Sequence, residues 1–272
     1  MPLRPLTVGE LLDAAVGLLR ENAKTLLAVA LVLAAVEQVA LYPLRDLAAV
    51  RPPTYFPPYT DHLAEYWLMI GAGYATEVGI IALLGGLAAQ AAAASITGQA
   101  RTPRAMLSPG GSRLAVVAII SVLVGLLGGL GALACWVPWI FTYGLLGLAV
   151  PAAIIDGKGP LGAIGRSVVL SSRVGLRACW IRLIGYLSWL AIRMGLGFGG
   201  LAALAFFGVP YTTRWVTVTG IAVWTVVNTV AYATLACLDS VLHLETRMRT
   251  EGLDISATLA RRNNRPIRLA VS

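Results

Sequence analysis

The chain is a succession of apolar runs, each long enough to cross a bilayer, separated by short stretches that carry almost all the charge. A helix needs about 20 consecutive apolar residues to span the hydrocarbon core. Six such runs are readable, at about 24–44, 66–95, 114–137, 139–155, 181–207 and 215–241. Backbone polar groups in lipid must be satisfied within the segment, so runs of this kind predict helices. The fold class expected is an all-α integral membrane protein forming one membrane domain over residues 1–272. Its charged fraction of 12% is about half that of a soluble domain, and its mean hydropathy is +0.78.

The fourth run is short and follows Trp136-Val137-Pro138-Trp139, which reads as a tight turn at an aromatic interface. The net charge of +8 does not point to nucleic acid, because the charges flank the apolar runs. Of the Lys and Arg residues, only Arg45, Arg51 and Arg214 fall in the outer connections if both termini face the cytoplasm, and Arg193 lies inside a run. That distribution predicts a multi-pass plasma-membrane topology with both ends inside.

Thr7-Val8-Gly9-Glu10 reads as a capping box opening a helix rather than as part of a cleaved signal peptide. Leu11, Leu12, Ala15, Val16, Leu18 and Leu19 then line one side, opposite Glu10, Asp13 and Arg20, as expected for a helix lying on the membrane surface. Comparable segments at Thr102–Ser108 and Pro160–Arg173 precede the second and third pairs of runs. Three units of surface helix plus transmembrane hairpin, or convergent punctuation, both account for this pattern. The outer connection Arg45–Glu65 holds Pro- and aromatic-rich residues 51–59, read either as an interfacial anchor or as a docking segment. The mixed-charge tail from Glu245 to Asp254 reads as a continuation of the last helix, either solvated or docking a protein.

Catalytic and metal motifs are missing from the sequence. There is no G-x-S-x-G elbow, H-E-x-x-H helix or phosphate-binding loop, and Cys135, Cys179 and Cys237 lack metal spacing. No cofactor is expected. Asp239, Ser240 and His243 share one helical turn, but neighbours on a helix face point outward side by side instead of converging on one atom. Gly195–Gly200 matches a dinucleotide glycine pattern without the strand it requires. Those glycines, like Gly125, Gly128, Gly129 and Gly131, read as sites of close helix approach, with a hinge at 195–200 as the alternative.

Three charges remain inside the runs: Glu37, Glu77 and Arg193. Counted along the helices, they lie about 20, 12 and 16 Å from the inner surface, so they can meet. An Arg–Glu pair, with the second Glu bonded to Gln38 or Asn228 or protonated, would satisfy them. Two readings stand: a structural network that specifies helix arrangement, or a polar site between helices. At the inner surface, Arg166, Arg173, Arg177 and Arg182 are expected to hold anionic lipid headgroups.

Three segments carry a family resemblance. Arg4-Pro5-Leu6-Thr7-Val8-Gly9-Glu10-Leu11-Leu12-Asp13 resembles the R-P-L-[ST]-x-G-E-[IL]-[LI]-D opening of a family of actinobacterial multi-pass membrane proteins. Val150-Pro151 through Asp156-Gly157 to Arg166-Ser167 resembles its proline-led span end, acidic/glycine turn and A-[IL]-x-R-S helix. Glu245-Thr246-Arg247-Met248-Arg249-Thr250-Glu251-Gly252-Leu253-Asp254 resembles its D-x-R-x-R-x-E-G-x-D tail, with Glu245 in place of the first Asp. The family is labelled a glycerophosphoryl diester phosphodiesterase membrane domain. The catalytic barrel of that enzyme needs at least roughly 200 residues beyond these spans, so none is expected here. The resemblance implies a non-enzymatic accessory or scaffold component of an envelope or lipid-handling system, with a membrane-protein partner. The intramembrane charges support a small transporter or channel as the alternative.

Overall fold

The computed structural model describes residues 4–50, 60–98, 106, 113–208, 214–267 and 269–270. Within them the chain forms nine α-helices and no strand. These are α1 (Val8–Glu21), α2 (Ala23–Leu47), α3 (Leu63–Thr97), α4 (Leu114–Leu133), α5 (Val137–Leu146), α6 (Ala149–Ile155), α7 (Pro160–Phe206), α8 (Arg214–Glu251) and α9 (Leu253–Arg262). Six segments are long and apolar enough to cross a membrane: α2, α3, α4, the pair α5–α6 (Val137–Ile155), Gly175–Phe206 of α7, and Val216–Glu251 of α8. The all-α, multi-pass architecture therefore stands. Residues 51–59 and the segment Thr102–Ser108, apart from the buried, helical Met106, lie outside the described residues.

α3 sits at the centre, packed on α2, α4, α6 and α8, while α7 leans on α5, α6 and α8 at the periphery. The α3–α4 interface is the most extensive, and its cause is a matched pair of small-residue faces. Gly71, Ala75 and Gly79 recur every four residues on α3, and Ser121, Gly125 and Gly129 do so on α4. A Cβ on Gly125 would lie 2.7 Å from the Ala75 carbonyl oxygen, and one on Gly129 would lie 2.7 Å from that of Gly71. The backbones approach this closely only because both faces carry nothing larger than alanine or serine. Gly195, Gly199 and Gly200 behave differently. A Cβ on any of them would meet open space, so close helix approach does not explain that cluster.

The turn at the aromatic cluster is as the sequence reads, with its third span ending earlier, at Leu133. Cys135 and Trp136 take φ of 59° and 64°, and Pro138 sits in the first turn of α5, where its missing N–H costs nothing. The fourth span is not one helix but two, broken at Gly147-Leu148. The break accommodates α7: a Cβ on Gly144 would overlap the Cys179 sulfur, and one on Gly147 the Arg182 guanidinium.

Thr7 caps α1 in a complete capping box, its N–H donating to Glu10 Oε2 at 2.8 Å while Glu10 N–H donates back to Thr7 Oγ1 at 3.4 Å. The apolar face of α1 is buried against α8, with Leu11 and Ala15 fully covered. Protein therefore covers much of the stripe expected to face the membrane surface, while Val8 and Val16 stay exposed, at 39% and 36%. Pro160 opens α7, whose first part is the expected surface helix Pro160–Arg173. Gly175 and Leu176 then take φ of 65° and 61°, values a straight right-handed helix does not contain, so the axis turns there into the span. α8 runs on through Glu251, as the tail pattern suggests, until Gly252 at φ 65° stops it.

The Arg4 guanidinium and the Thr7 donors hold the Glu10 carboxyl down to about 2, from an ordinary 4.5. A depressed carboxyl contributes stability above its unfolded value and loses it as pH falls through the folded one. The N-terminal turn of α1 should therefore keep its amide protection at pH 5 and lose it between about pH 4.5 and about pH 2. Protection factors from hydrogen exchange, corrected for intrinsic rates, would show this, and Glu10→Gln should remove the pH dependence.

Candidate functional site

Glu37, Glu77 and Arg193 converge at mid-bundle on α2, α3 and α7. Arg193 Nη2 donates to Glu77 Oε1 at 2.5 Å, and Tyr186 OH donates to Glu77 Oε2 at 3.3 Å. Glu37 is satisfied separately. It accepts from Thr76 Oγ1 at 3.0 Å, Tyr232 OH at 2.8 Å and Asn228 Nδ2 at 3.4 Å. Asn228 Nδ2 also reaches Tyr232 OH at 2.9 Å. Because Thr76 and Glu77 are adjacent on α3, the two groups form one polar centre shared by four helices. Gln38, the other partner considered for Glu37, instead accepts from Arg45 Nη1 at 2.8 Å.

This centre is the floor of a cavity of about 760 Å³. Its walls are apolar and aromatic, with Tyr74, Trp139, Tyr186 and Trp224 among them. Exposed apolar side chains of α5 (Ile140) and α7 (Ile184, Leu187, Phe198), with Trp136 just before α5, also line it, which places its rim on the lateral face of the bundle. Three lining side chains are buried yet keep unused hydrogen-bonding atoms among the described residues: Asn228 Oδ1, Arg193 Nε and Trp139 Nε1. Helical spacing placed the three charges at similar depth, but the cavity around them was not readable. It arises because α7 stands off from α2 and α3, and single-helix periodicity carries no record of that separation.

A second buried pair escaped the sequence reading. Arg182 Nε and Nη2 bond both carboxylate oxygens of Asp239, at 2.6 and 3.0 Å, and the guanidinium lies 4.1 Å from the Tyr143 ring centroid. Arg182 is 2% exposed. Burial removes it from the set expected to touch headgroups. The signal that could have revealed it is Gly147 in the facing span, which leaves room for a guanidinium.

The other three arginines of that set are also engaged within the chain. Arg166 bonds Asp156 at 2.9 Å and Glu251 at 2.7 Å, Arg173 bonds Glu251 at 3.3 Å, and Arg177 bonds Glu245 at 2.8 Å and the Leu6 carbonyl at 2.9 Å. Arg249 joins Glu245 and donates to the Leu6 carbonyl at 2.7 Å, so the N-terminal segment is tied to the end of α8. Arg166 and Arg173 are seven residues apart on one helix face, and Arg177 follows just beyond the bend at Gly175-Leu176. Arg173 keeps the most exposed side chain of the four, at 41%.

Asp156 is the hub at this basic end, bonded by His243 at 3.1 Å, Arg247 at 2.7 Å and Arg166. Burial alone would raise its carboxyl, but the hydrogen bonds with His243 and Arg166 and the charge of Arg247 outweigh it and hold it below its usual range. Asp239, Ser240 and His243 thus do not converge: Asp239 faces Arg182, Ser240 donates to the Ala236 carbonyl, and His243 faces Asp156. Among the described residues no three His, Cys, Asp or Glu side chains are grouped as metal ligands. The described cysteines are all free.

Comparison of the chain with protein-family models, curated proteins and solved structures finds no match.

Proposed function

We propose that this membrane protein binds an amphiphilic small molecule inside its helical bundle, as a non-catalytic component of a lipid-handling or envelope system. On this reading it sits in a bacterial plasma membrane with the basic end facing the cytoplasm, in keeping with the Lys/Arg distribution. The observation that carries the proposal is the cavity of about 760 Å³ around Glu37, Glu77 and Arg193. A purely structural ion pair needs no empty space beside it. Ligand sites, by contrast, combine a volume of about 300–1,000 Å³ and apolar walls with a few placed polar groups. The lateral rim suits a molecule that arrives from the lipid phase.

A reading as a docking scaffold has less support, because the charged tail that would bind a partner spends Glu245, Arg247, Arg249 and Glu251 on contacts within the chain. Kinship with the phosphodiesterase membrane-domain family is part of the proposal, and its lipid context agrees with an amphiphile. Contact with anionic headgroups is retained for Arg173 alone, whose side chain is the most open.

Gly73 provides the test. It lines the cavity, and a Cβ there would meet nothing within 4 Å, so Gly73→Phe fills the space without a backbone clash. Native mass spectrometry of protein purified from membranes should find an amphiphile retained by the wild type and lost, by at least about tenfold in occupancy, from Gly73→Phe. A wild type that carries nothing, or a variant that retains the same molecule, would sink the proposal.

A further inference from the structure

We infer that the cavity selects an amphiphile bearing a cationic head, such as an alkylammonium, and that Glu37 is its counter-charge; this rests on the binding reading above. Three independent observations point the same way. First, the cavity is lined by two carboxylates and two guanidiniums, of which Arg193 bonds Glu77 at 2.5 Å and Arg45 bonds Gln38 at 2.8 Å, so neither is given to Glu37. The partners of Glu37 are all neutral: a threonine hydroxyl, a tyrosine hydroxyl and an asparagine amide. A carboxylate at this depth is stabilised in its charged form by a cation in contact, and the chain supplies none within ion-pairing distance among the described residues.

Second, Asn228 directs its amide nitrogen to Glu37 and Tyr232, leaving Oδ1 without a partner at a site only 4% exposed. Oδ1 is an acceptor beside a carboxylate, so the unmet demand beside Glu37 is for a donor, which an alkylammonium supplies, while Arg193 Nε and Trp139 Nε1 are left for acceptor atoms. Third, aromatic side chains line the walls, among them Tyr74, Trp139 and Trp224, and the Tyr186 and Tyr232 rings already hold one organic cation, the Arg193 guanidinium, at 5.6 and 6.0 Å. Aromatic faces attract organic cations through their quadrupoles and tolerate the apolar groups such cations carry.

Two features act against an anionic head. Arg193 is neutralised by Glu77, and its unpartnered Nε accounts for one acceptor atom on the ligand, such as a hydroxyl or carbonyl oxygen, rather than for a net anion. Arg45 also lines the cavity, but its Nη1 donates to Gln38 Oε1 at 2.8 Å and not to Glu37.

The test uses the full chain in phosphatidylcholine nanodiscs and three probes with one diphenylhexatriene body: the trimethylammonium derivative, the neutral parent and the propionate. Energy transfer from the tryptophans at the rim reports binding, with empty discs as the baseline. The cationic probe should bind at least about tenfold tighter than the neutral one, and the propionate should bind weakest. Glu37→Gln preserves shape and should bring the ratio of cationic to neutral probe affinity from about tenfold to about one. A reversed order in the wild type, which needs no variant to fold, overturns the cationic assignment, as does a preference that survives in Glu37→Gln. In either case a neutral probe that still binds and is expelled by Gly73→Phe leaves the amphiphile-binding proposal intact. If no probe binds above empty discs, or if Gly73→Phe changes nothing, that proposal falls with its extension.

Discussion

Arg182→Ala should destabilise the protein by about 3–5 kcal/mol, while the double replacement Arg182→Met with Asp239→Leu should recover most of that loss. Both members of the pair are buried, at 3% and 5% side-chain exposure, and they are joined by two parallel hydrogen bonds. Removing the guanidinium leaves the Asp239 carboxylate in a low-dielectric interior with no counter-charge, and that residual penalty is larger than the net worth of the pair. Removing both charges eliminates the penalty and replaces the pair with apolar bulk. Arg182→Lys should fall in between, because a lysine cannot supply the bidentate fork or stack on Tyr143. Unfolding by a denaturing detergent, followed by tryptophan fluorescence, ranks these variants. If the double variant is as unstable as the single one, packing rather than charge accounts for the role of Arg182.

The pair Gly125→Leu and Gly129→Leu should separate α3 from α4 and cost more than about 3 kcal/mol together, with each alone costing about 1–3 kcal/mol. The contacts that a new Cβ would make at 2.7 Å are to the carbonyl oxygens of Ala75 and Gly71 and to Ala75 Cβ, none of which has a rotamer to adopt. Relief therefore requires moving a whole helix, and the central helix packs on three others. Leucine at Gly71 is a useful control. There the obstruction is the flexible Leu133 side chain, which can turn aside, so a smaller loss is expected. Melting temperatures in mild detergent would separate the two cases. Equal losses at Gly71 and Gly129 would show that helix approach is not what limits these sites.

Much of the fold was legible because a bilayer leaves few options for an apolar run. The positions of α2, α3 and α4 follow from length and composition, and Thr7-Val8-Gly9-Glu10 declared the start of α1 through a local hydrogen-bonding pattern. What α1 packs against was not legible. The same amphipathic stripe fits lipid or protein, and only its position beside α8 assigns it to protein. Arg182 was misread for a related reason. Near the end of a span, sequence does not say whether an arginine turns outward to the interface or inward to Asp239, fifty-seven residues away.

The candidate site divides along the same line. Sequence by itself determined that Glu37, Glu77 and Arg193 lie in apolar helices at comparable depth, because rise per residue converts position into depth. It also determined that most of the charge falls between the apolar runs, since charges are expelled from hydrocarbon. Only the tertiary structure decided which glutamate takes the arginine and which is left to hydroxyls and an amide. That choice depends on the rotation of α7 about its own axis and on its distance from α2 and α3. Neither quantity is set by the hydrophobic pattern of one helix, and together they turn three buried charges into the floor of a cavity.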